Sequence, residues 1–109
     1  MSSFKDLENF EAEYQHWVDH NFPNSTAAEQ VLGVGEEFGE LAHAVLKGLQ
    51  GIRHTPDEIK KMKKDAVGDI IIYLTGYCYR EGFSLADCLE MAWDEVKFRD
   101  WVENTKDGT

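Results

Sequence analysis

The sequence has little of what marks several protein classes. Only two of its 109 residues are cysteines, Cys78 and Cys88, too few for a secreted disulfide scaffold or a thiolate zinc site. It has two prolines, and no apolar run approaches the length that spans a membrane. The first residues lack the basic and apolar regions of a signal peptide, so a cytoplasmic protein is expected.

Basic residues are also scarce. The chain has 11 Lys and Arg against 21 Asp and Glu, a formal net charge of −10. Counterion release on a phosphate backbone needs clustered basic groups, so neither a nucleic acid polymer nor a membrane is an expected partner. Any phosphate that the protein handles then needs a cation. The apolar fraction of 42% is enough for a core, and the length predicts a single domain over residues 1–109.

Capping signals divide the chain into about four helical segments, and no strand pattern competes with them. The first segment spans about residues 4–20, and residues 105–109 are expected to form a frayed polar tail. The signals for helix starts and ends are Ser3 with Asp6, the capping box Thr26 to Glu29, Gly48, the capping box Thr55 to Glu58 with Pro56, Gly82 and Ser84. These signals predict an all-α fold.

Apolar residues at helical spacing predict how the helices pack. Residues 70–74 are apolar on all sides, which predicts that the third helix is central and buried. The stripes on the first and fourth helices are Leu7, Phe10, Tyr14, Trp17 and Val18, and Leu85, Leu89, Ala92, Trp93 and Val96. We expect an antiparallel bundle of about four helices. It should assemble at least as a dimer, because so short a chain has more apolar surface than one small bundle hides.

Carboxylates cluster on the second helix, where Glu36, Glu37 and Glu40 are spaced to face roughly one way. Like charges at this spacing disfavour a helix unless a cation or basic groups neutralise them. The opposite face is predicted to pack, and it carries Val34, Phe38, Leu41 and Val45. A solvated acidic face without function is the alternative interpretation of this cluster.

The third helix adds Asp65 and Asp69, which are also one turn apart. Asp69 directly precedes the apolar run, so burial would remove hydration worth several kcal/mol unless the carboxylate is paired or metal-bound. Lys61 and Lys64 are candidate partners, but they are few against four or five carboxylates. A divalent cation is the better counter-charge, and oxygen ligands favour Mg²⁺, Mn²⁺ or Ca²⁺ over zinc.

At these residues the sequence resembles the MazG-type nucleotide pyrophosphohydrolases, part of the all-α nucleoside triphosphate pyrophosphatase superfamily. The motifs that carry the resemblance are Glu36-Glu37-x-x-Glu40, residues 41–44, residues 50–53, residues 68–74 and Lys97-x-Arg99-Asp100-Trp101. The resemblance covers most of the chain. It implies hydrolysis of nucleoside triphosphates to monophosphates and pyrophosphate with Mg²⁺, or with Mn²⁺ in its place, in clearing the nucleotide pool.

The resemblance also implies a set of metal ligands. Glu37, Glu40 and Asp69 match the motifs position by position. The family has a further Glu three residues before its Asp, where this chain has Ala66. Asp65 is the nearby substitute, since a residue one turn from Asp69 faces the same way along a helix.

The implied catalytic carboxylates are Glu36, Glu37 and Glu40, with Glu36 activating water or supporting the ligands. Basic residues are needed for the leaving pyrophosphate, and aromatic residues for the base. The substrate-binding candidates are Lys47, Arg53, Lys97 and Arg99 for phosphate, and Tyr73, Trp17 and Phe22 for the base. Lys97 and Arg99 have an alternative role in compensating the dipole at a helix C-terminus.

Two other classes of function remain open. Glu13-x-x-His16 and Glu40-x-x-His43 are the Glu-x-x-His pairs of carboxylate-bridged di-iron bundles, although the single Glu residues expected on the other helices are missing. A non-catalytic helical module with an acidic face for a basic partner also fits the composition. The apolar surroundings predicted for Asp69 argue against an exposed docking face.

Overall fold

The computed structural model describes residues 4–109, which form four α-helices and no strands. The helices are α1 (Lys5–Asn21), α2 (Ala27–Gln50), α3 (Pro56–Glu81) and α4 (Leu85–Val96). The prediction of an all-α fold is confirmed for this part of the chain. The described helices include none with the length and apolar character needed to cross a membrane.

Local sequence signals set most helix ends. Thr26 and Thr55 each accept a hydrogen bond from the backbone N–H three residues on, at 3.1 Å, and Glu29 and Glu58 complete both predicted capping boxes. Gly82 ends α3 at φ 88°, as predicted. The predicted end of α2 at about Gly48 is too early. The helix continues to Gln50, and Gly51 caps it in the left-handed backbone conformation. The predicted cap Ser3 lies outside the described residues, and the N-cap of α1 is Phe4, with no side-chain cap.

Helices α2 and α3 form an antiparallel hairpin. Gly33 lies opposite Tyr73 near one end of this hairpin, and Gly48 lies opposite Ile59 near the other. The backbones of α1 and α4 lie close to each other and to that of α3, whereas the backbone of α2 lies close only to that of α3. The arrangement is therefore a helical hairpin with two further helices at one end, more open than the predicted bundle.

Two polar anchors hold α1 in place. Arg80 on α3 donates to Asp19 Oδ1 at 3.2 Å and to the Phe22 carbonyl at 2.9 Å. At the other anchor, the buried carboxylate of Glu11 accepts hydrogen bonds from the hydroxyl of Ser84 and from the first backbone N–H groups of α4. These anchors fix α1 against α3 and α4 because each one satisfies a charged group with several partners.

Burial differs from the sequence-based expectation. Helix α3 is central in its contacts, but its apolar run is not buried, since Ile71 and Ile72 remain 39% and 40% exposed. The stripe predicted for α4 is also largely open, with Trp93 49% exposed, and on α2 Phe38 is 65% exposed. The reason is geometric: α2 and α4 do not touch, so their outer apolar faces have no partner within the described chain.

The dimensions of the chain agree with this openness. Its radius of gyration is 17.1 Å, whereas a compact domain of this length has about 13 Å. Its accessible surface is 8004 Å², against about 6,200 Å² for a compact monomer of this mass. The C-terminal segment, predicted to be a frayed tail, folds back on itself, since Asp100 N–H donates to the carbonyl of Gly108 and Gly108 is buried.

Candidate functional site

Two neighbouring cavities lie along the groove between α2 and α3. The acidic cavity, about 340 Å³, is lined by Glu37, Glu40, Met62, Asp65, Ala66 and Asp69. The aromatic cavity, about 470 Å³, is lined by Tyr14, Trp17, Val18, Phe22, Ser25, Glu29, Gln30, Glu37, Asp69, Ile72 and Tyr73. Glu37 and Asp69 line both cavities. One continuous groove therefore runs from a cluster of carboxylates to a group of aromatic rings.

The position of Glu37 corrects the predicted orientation of α2. Its buried or half-buried positions include Gln30, Gly33, Glu37 and Ala44, which recur at helical spacing and face α3. Glu37 is therefore on the packing face. Of the four apolar residues predicted for that face, Val34 and Leu41 are half-buried, whereas Phe38 and Val45 are exposed, so the prediction is right for the first pair and wrong for the second.

Helix α3 contributes the other two carboxylates of the acidic cavity. Asp65 and Asp69 both line it and lie one turn apart, while Ala66 between them is buried in its wall. The prediction that Asp69 sits in a dry, apolar environment is wrong. Asp69 is exposed, although it follows Ala66 on the same helix and precedes the apolar run.

No basic side chain lines the acidic cavity. Within residues 4–109, no hydrogen bond or ion pair engages the carboxylates of Glu37, Glu40, Asp65 or Asp69. Partial burial, together with the negative charges of Asp69, Glu36 and Glu40, raises the pKa of Glu37 above its ordinary value. The protein thus concentrates negative charge here without neutralising it.

The donor set fits a hard divalent cation better than a transition metal, since it contains carboxylate oxygens and no thiol or imidazole. The described residues do not, however, already hold three His, Cys, Asp or Glu side chains at metal-binding spacing. Any cation bound here would draw the carboxylates closer than they now lie. Glu36 is exposed on α2 next to this cluster and does not line the cavity.

The aromatic cavity contains all three aromatic residues predicted for base binding, Trp17, Phe22 and Tyr73. Trp17 contacts Phe22 edge to face, with ring centroids 5.7 Å apart, and Tyr14 at 6.1 Å. Tyr73 lies on α3 one turn beyond Asp69. Burial raises the pKa of the Tyr14 hydroxyl despite the nearby Arg80. These rings form an apolar wall of the kind that holds a planar aromatic group.

The structure does not bring the four predicted phosphate-binding residues to this groove. Lys47 donates to Gln50 at 3.1 Å, and Arg53 is exposed in the connection between α2 and α3. Lys97 forms an ion pair with Asp94 at 3.1 Å, and Arg99 forms one with Glu95 at 3.2 Å. Both pairs lie at the C-terminal end of α4, where the alternative interpretation placed these two basic residues. Within one chain the groove is therefore short of cations.

The geometry also bears on the di-iron alternative. His16 and His43 are exposed and lie on α1 and α2, two helices that do not contact each other within the described chain. The two Glu-x-x-His pairs are thus not brought together by the structure. Lys61 and Lys64, the candidate partners of Asp69, are exposed, and the ion pairs in residues 4–109 involve neither.

Several residues of the groove had no signal in the sequence. Gln30 is 8% exposed at the wall of the aromatic cavity, and Ser25 and Glu29 lie at its rim near the start of α2. Met62 lines the acidic cavity. Of these residues, only Gln30 could have been found from the sequence, because it lies seven residues before Glu37 and therefore on the same face of α2.

Comparisons of the chain with protein-family models, with curated proteins and with solved structures found no match. Its function has to be inferred from the arrangement of its own residues. The residues that matter most for that inference are Glu37 and Asp69, because they connect the two cavities.

Proposed function

We propose that this protein is a Mg²⁺-dependent nucleoside triphosphate pyrophosphohydrolase of MazG type, which cleaves (deoxy)nucleoside triphosphates to monophosphates and pyrophosphate. The observation that carries the proposal is the continuous groove that joins unneutralised carboxylates to an aromatic cavity through Glu37 and Asp69. A nucleotide has the matching chemistry, since its phosphates need a cation and its base needs an apolar wall. Clearing or balancing the nucleotide pool is the corresponding role.

The acidic cavity is the proposed metal site. Glu37, Glu40, Asp65 and Asp69 would hold Mg²⁺, or Mn²⁺ in its place, with Asp65 substituting for the carboxylate absent at Ala66. When bound, such a cation polarises phosphoryl oxygens and lowers the pKa of a bound water. The carboxylates of the acidic cavity would also orient a water toward the α-phosphorus, and the exposed Glu36 would accept the proton of that water.

The bond changes of the proposed reaction balance without a further reactant. The oxygen of water forms a bond to the α-phosphorus, and the bond from that phosphorus to the bridging oxygen of the β-phosphate breaks. Pyrophosphate leaves with the electron pair of that bond. The proton of the attacking water passes to a carboxylate and then to solvent.

We propose further that the active form is a homodimer or homotetramer. The chain exposes roughly 1,800 Å² more than a compact monomer would, which exceeds the ~800 Å² that each partner buries in a standard interface. Lys47, Arg53, Lys97 and Arg99 lie away from the groove of their own chain. Assembly would cover the open apolar faces and allow a neighbouring subunit to bring such cations to the substrate.

A substrate panel with Mg²⁺ tests the activity. We expect release of pyrophosphate rather than phosphate from canonical triphosphates and from deoxyuridine triphosphate, and loss of that release in Glu40→Gln. The exposed Glu103, outside both cavities, provides the matched control Glu103→Gln, which should keep the wild-type rate. Hydrolysis by Glu40→Gln at the wild-type rate would show that the proposed site is wrong.

A non-catalytic module that binds a basic partner is the second candidate, and one observation favours it. Asp69 is exposed, so the apolar surroundings that argued against an acidic docking face are not present. The two proposals differ in their response to Mg²⁺. If Asp69→Asn is as stable as wild type or more so, and neither Mg²⁺ nor nucleotide changes the melting temperature of the wild type, the module is the better interpretation.

A further inference from the structure

Gly33 lies on the side of α2 that faces α3, against the ring of Tyr73. A Cβ atom added at Gly33 would lie 2.7 Å from Tyr73 Cζ and closer still to Cδ1 and Cε1. Carbon atoms in van der Waals contact are about 3.5–4.0 Å apart. The ring of Tyr73 therefore occupies a space that exists only because residue 33 has no side chain.

Among the other glycines of α2, only Gly48 also faces a side chain of α3, and there the added Cβ would lie at the looser distance of 3.1 Å from Ile59. A Cβ atom at Gly35 or Gly39 would meet nothing within 4 Å. Glycine inside a helix is unfavourable relative to alanine, because it loses more backbone freedom on folding. At Gly33 this cost has a structural explanation, which Gly35 and Gly39 lack within the chain.

The position of the Tyr73 ring matters because it lines the aromatic cavity beside Asp69, which also lines the acidic cavity. With the ring against the α2 backbone, the cavity has space in front of it. A methyl group at residue 33 would push the ring by about 1 Å or more, since the contact must return to van der Waals distance. Displacement away from α2 would change the shape of the cavity next to the carboxylates.

We propose that Gly33 is a positioning residue, which seats Tyr73 against α2 and so shapes the aromatic cavity for the base of a nucleotide. This inference rests on the proposed pyrophosphohydrolase function and adds a residue that shapes the part of the site that holds the base. The substrate is a triphosphate that carries an aromatic base, and binding of inorganic polyphosphate does not depend on Gly33.

Steady-state kinetics test the proposal, with Gly33→Ala as the variant and Gly35→Ala as its matched control. Stacking of a base on an aromatic ring contributes enough that Gly33→Ala should raise KM for the nucleotide about tenfold while kcat stays within about twofold. Tripolyphosphate, added as a competitive inhibitor, should bind Gly33→Ala as tightly as wild type because it has no base. Gly35→Ala should match wild type in all three measurements.

The Tyr73→Ala background isolates the contact itself. Thermal unfolding should show Gly33→Ala less stable than Gly35→Ala when Tyr73 is present, and the two equally stable when residue 73 is alanine, since the clashing ring is then gone. The tenfold effect on KM should likewise disappear in that background. This stability comparison needs no catalytic activity, so it can be measured even if the proposed function fails.

The outcomes separate the two proposals. Equal KM values for Gly33→Ala and Gly35→Ala in an active enzyme would overturn the inference and leave the proposed function in place. A stability difference that persists without the Tyr73 ring would also overturn it. Absence of Mg²⁺-dependent hydrolysis in the wild type would instead overturn the proposed function. The inference would then survive only if a nucleoside monophosphate binds the wild type and Gly35→Ala, but not Gly33→Ala.

Discussion

Carboxylates occupy two regions of this molecule in opposite ways. At the start of α4, Glu11 is 6% exposed, and it accepts hydrogen bonds from the Ser84 hydroxyl at 2.8 Å and from the Ala86 N–H at 3.2 Å. In the acidic cavity, Glu37, Glu40, Asp65 and Asp69 are more accessible, and no donor within residues 4–109 binds them. The buried carboxylate is thus the one that the fold satisfies with hydrogen bonds, and the more accessible carboxylates are those that it leaves without a donor.

The comparison separates carboxylates that stabilise the fold from carboxylates that have no partner in it. Glu11 joins α1 to α4, and the positive end of the α4 dipole adds to its hydrogen bonds. The cluster between α2 and α3 joins nothing within the chain, and its charges repel one another. A carboxylate that the fold satisfies indicates a structural role, whereas several that it leaves unsatisfied on one wall indicate a ligand from outside.

The largest effect should come from removing a carboxylate of the acidic cavity. We expect Glu40→Gln to lower Mg²⁺-dependent kcat about 100-fold or more, because a lost charge weakens both metal binding and transition-state stabilisation. Glu11→Gln should keep a rate within about threefold of wild type, since Glu11 lies outside both cavities and its loss affects stability. Comparable rate losses in the two variants would remove the distinction between the regions.

The next effect concerns stability. Glu11→Ala should lower the free energy of unfolding by about 2–4 kcal/mol, because a charged acceptor is lost and the N-terminal N–H groups of α4 lose their partner. Glu40→Ala should change the same quantity by less than about 0.5 kcal/mol in the absence of metal, as expected for an exposed side chain. Urea unfolding without divalent cations measures both values, and equal losses would contradict the structural role of Glu11.

Addition of Mg²⁺ should stabilise the wild type through the acidic cavity alone. At ten times the dissociation constant the gain is about 1.4 kcal/mol, which is a rise of several degrees in melting temperature for a chain of this length. Asp69→Asn should lose most of the gain, and Glu11→Gln should retain it. An equal rise in all three proteins would indicate weak binding of Mg²⁺ elsewhere on this acidic chain.

The smallest effect is the pH dependence that arises from Glu37. Its raised pKa means that the folded state binds this proton more tightly than the unfolded state does. The stability that protonation provides is therefore present below the ordinary pKa of 4.5 and is lost as the pH rises through the raised pKa. Glu37→Gln should lack this loss, and stabilisation by Mg²⁺ should grow over the same interval in the wild type. Unfolding curves from about pH 4 to pH 7 measure both trends.

Much of the fold could be predicted because its signals are local. The capping boxes at Thr26 and Thr55 and the left-handed glycine at Gly82 need only a few neighbouring residues, and the structure has them where the sequence indicated. The spacing of Glu37 to Glu40 and of Asp65 to Asp69 is likewise a property of any helix. Two one-turn pairs of carboxylates were therefore predictable before any contact between helices was known.

The face of α2 that packs could not be predicted from apolar content. Phe38 and Val45 are the larger apolar residues, yet Gly33 and Ala44 face α3 and the apolar pair is 65% and 42% exposed. Close approach of two helices depends on small side chains at the contact, and their effect appears only when the partner helix is in place. The hydrophobic pattern therefore placed Val34 and Leu41 correctly, since both are half-buried, but it wrongly added Phe38 and Val45 and missed Glu37.

The sequence by itself determined the four helices, most of their caps and the clustering of negative charge, because each depends on residues within one or two turns. Only the tertiary structure decided that Glu37 and Asp69 would join an acidic cavity to an aromatic one, and that Asp69 would stay exposed. Both results come from residues far apart in sequence, as where the ring of Tyr73 meets the backbone of Gly33. Such contacts depend on how α1, α2 and α3 fit together in space, and spacing along one helix contains no information about that fit.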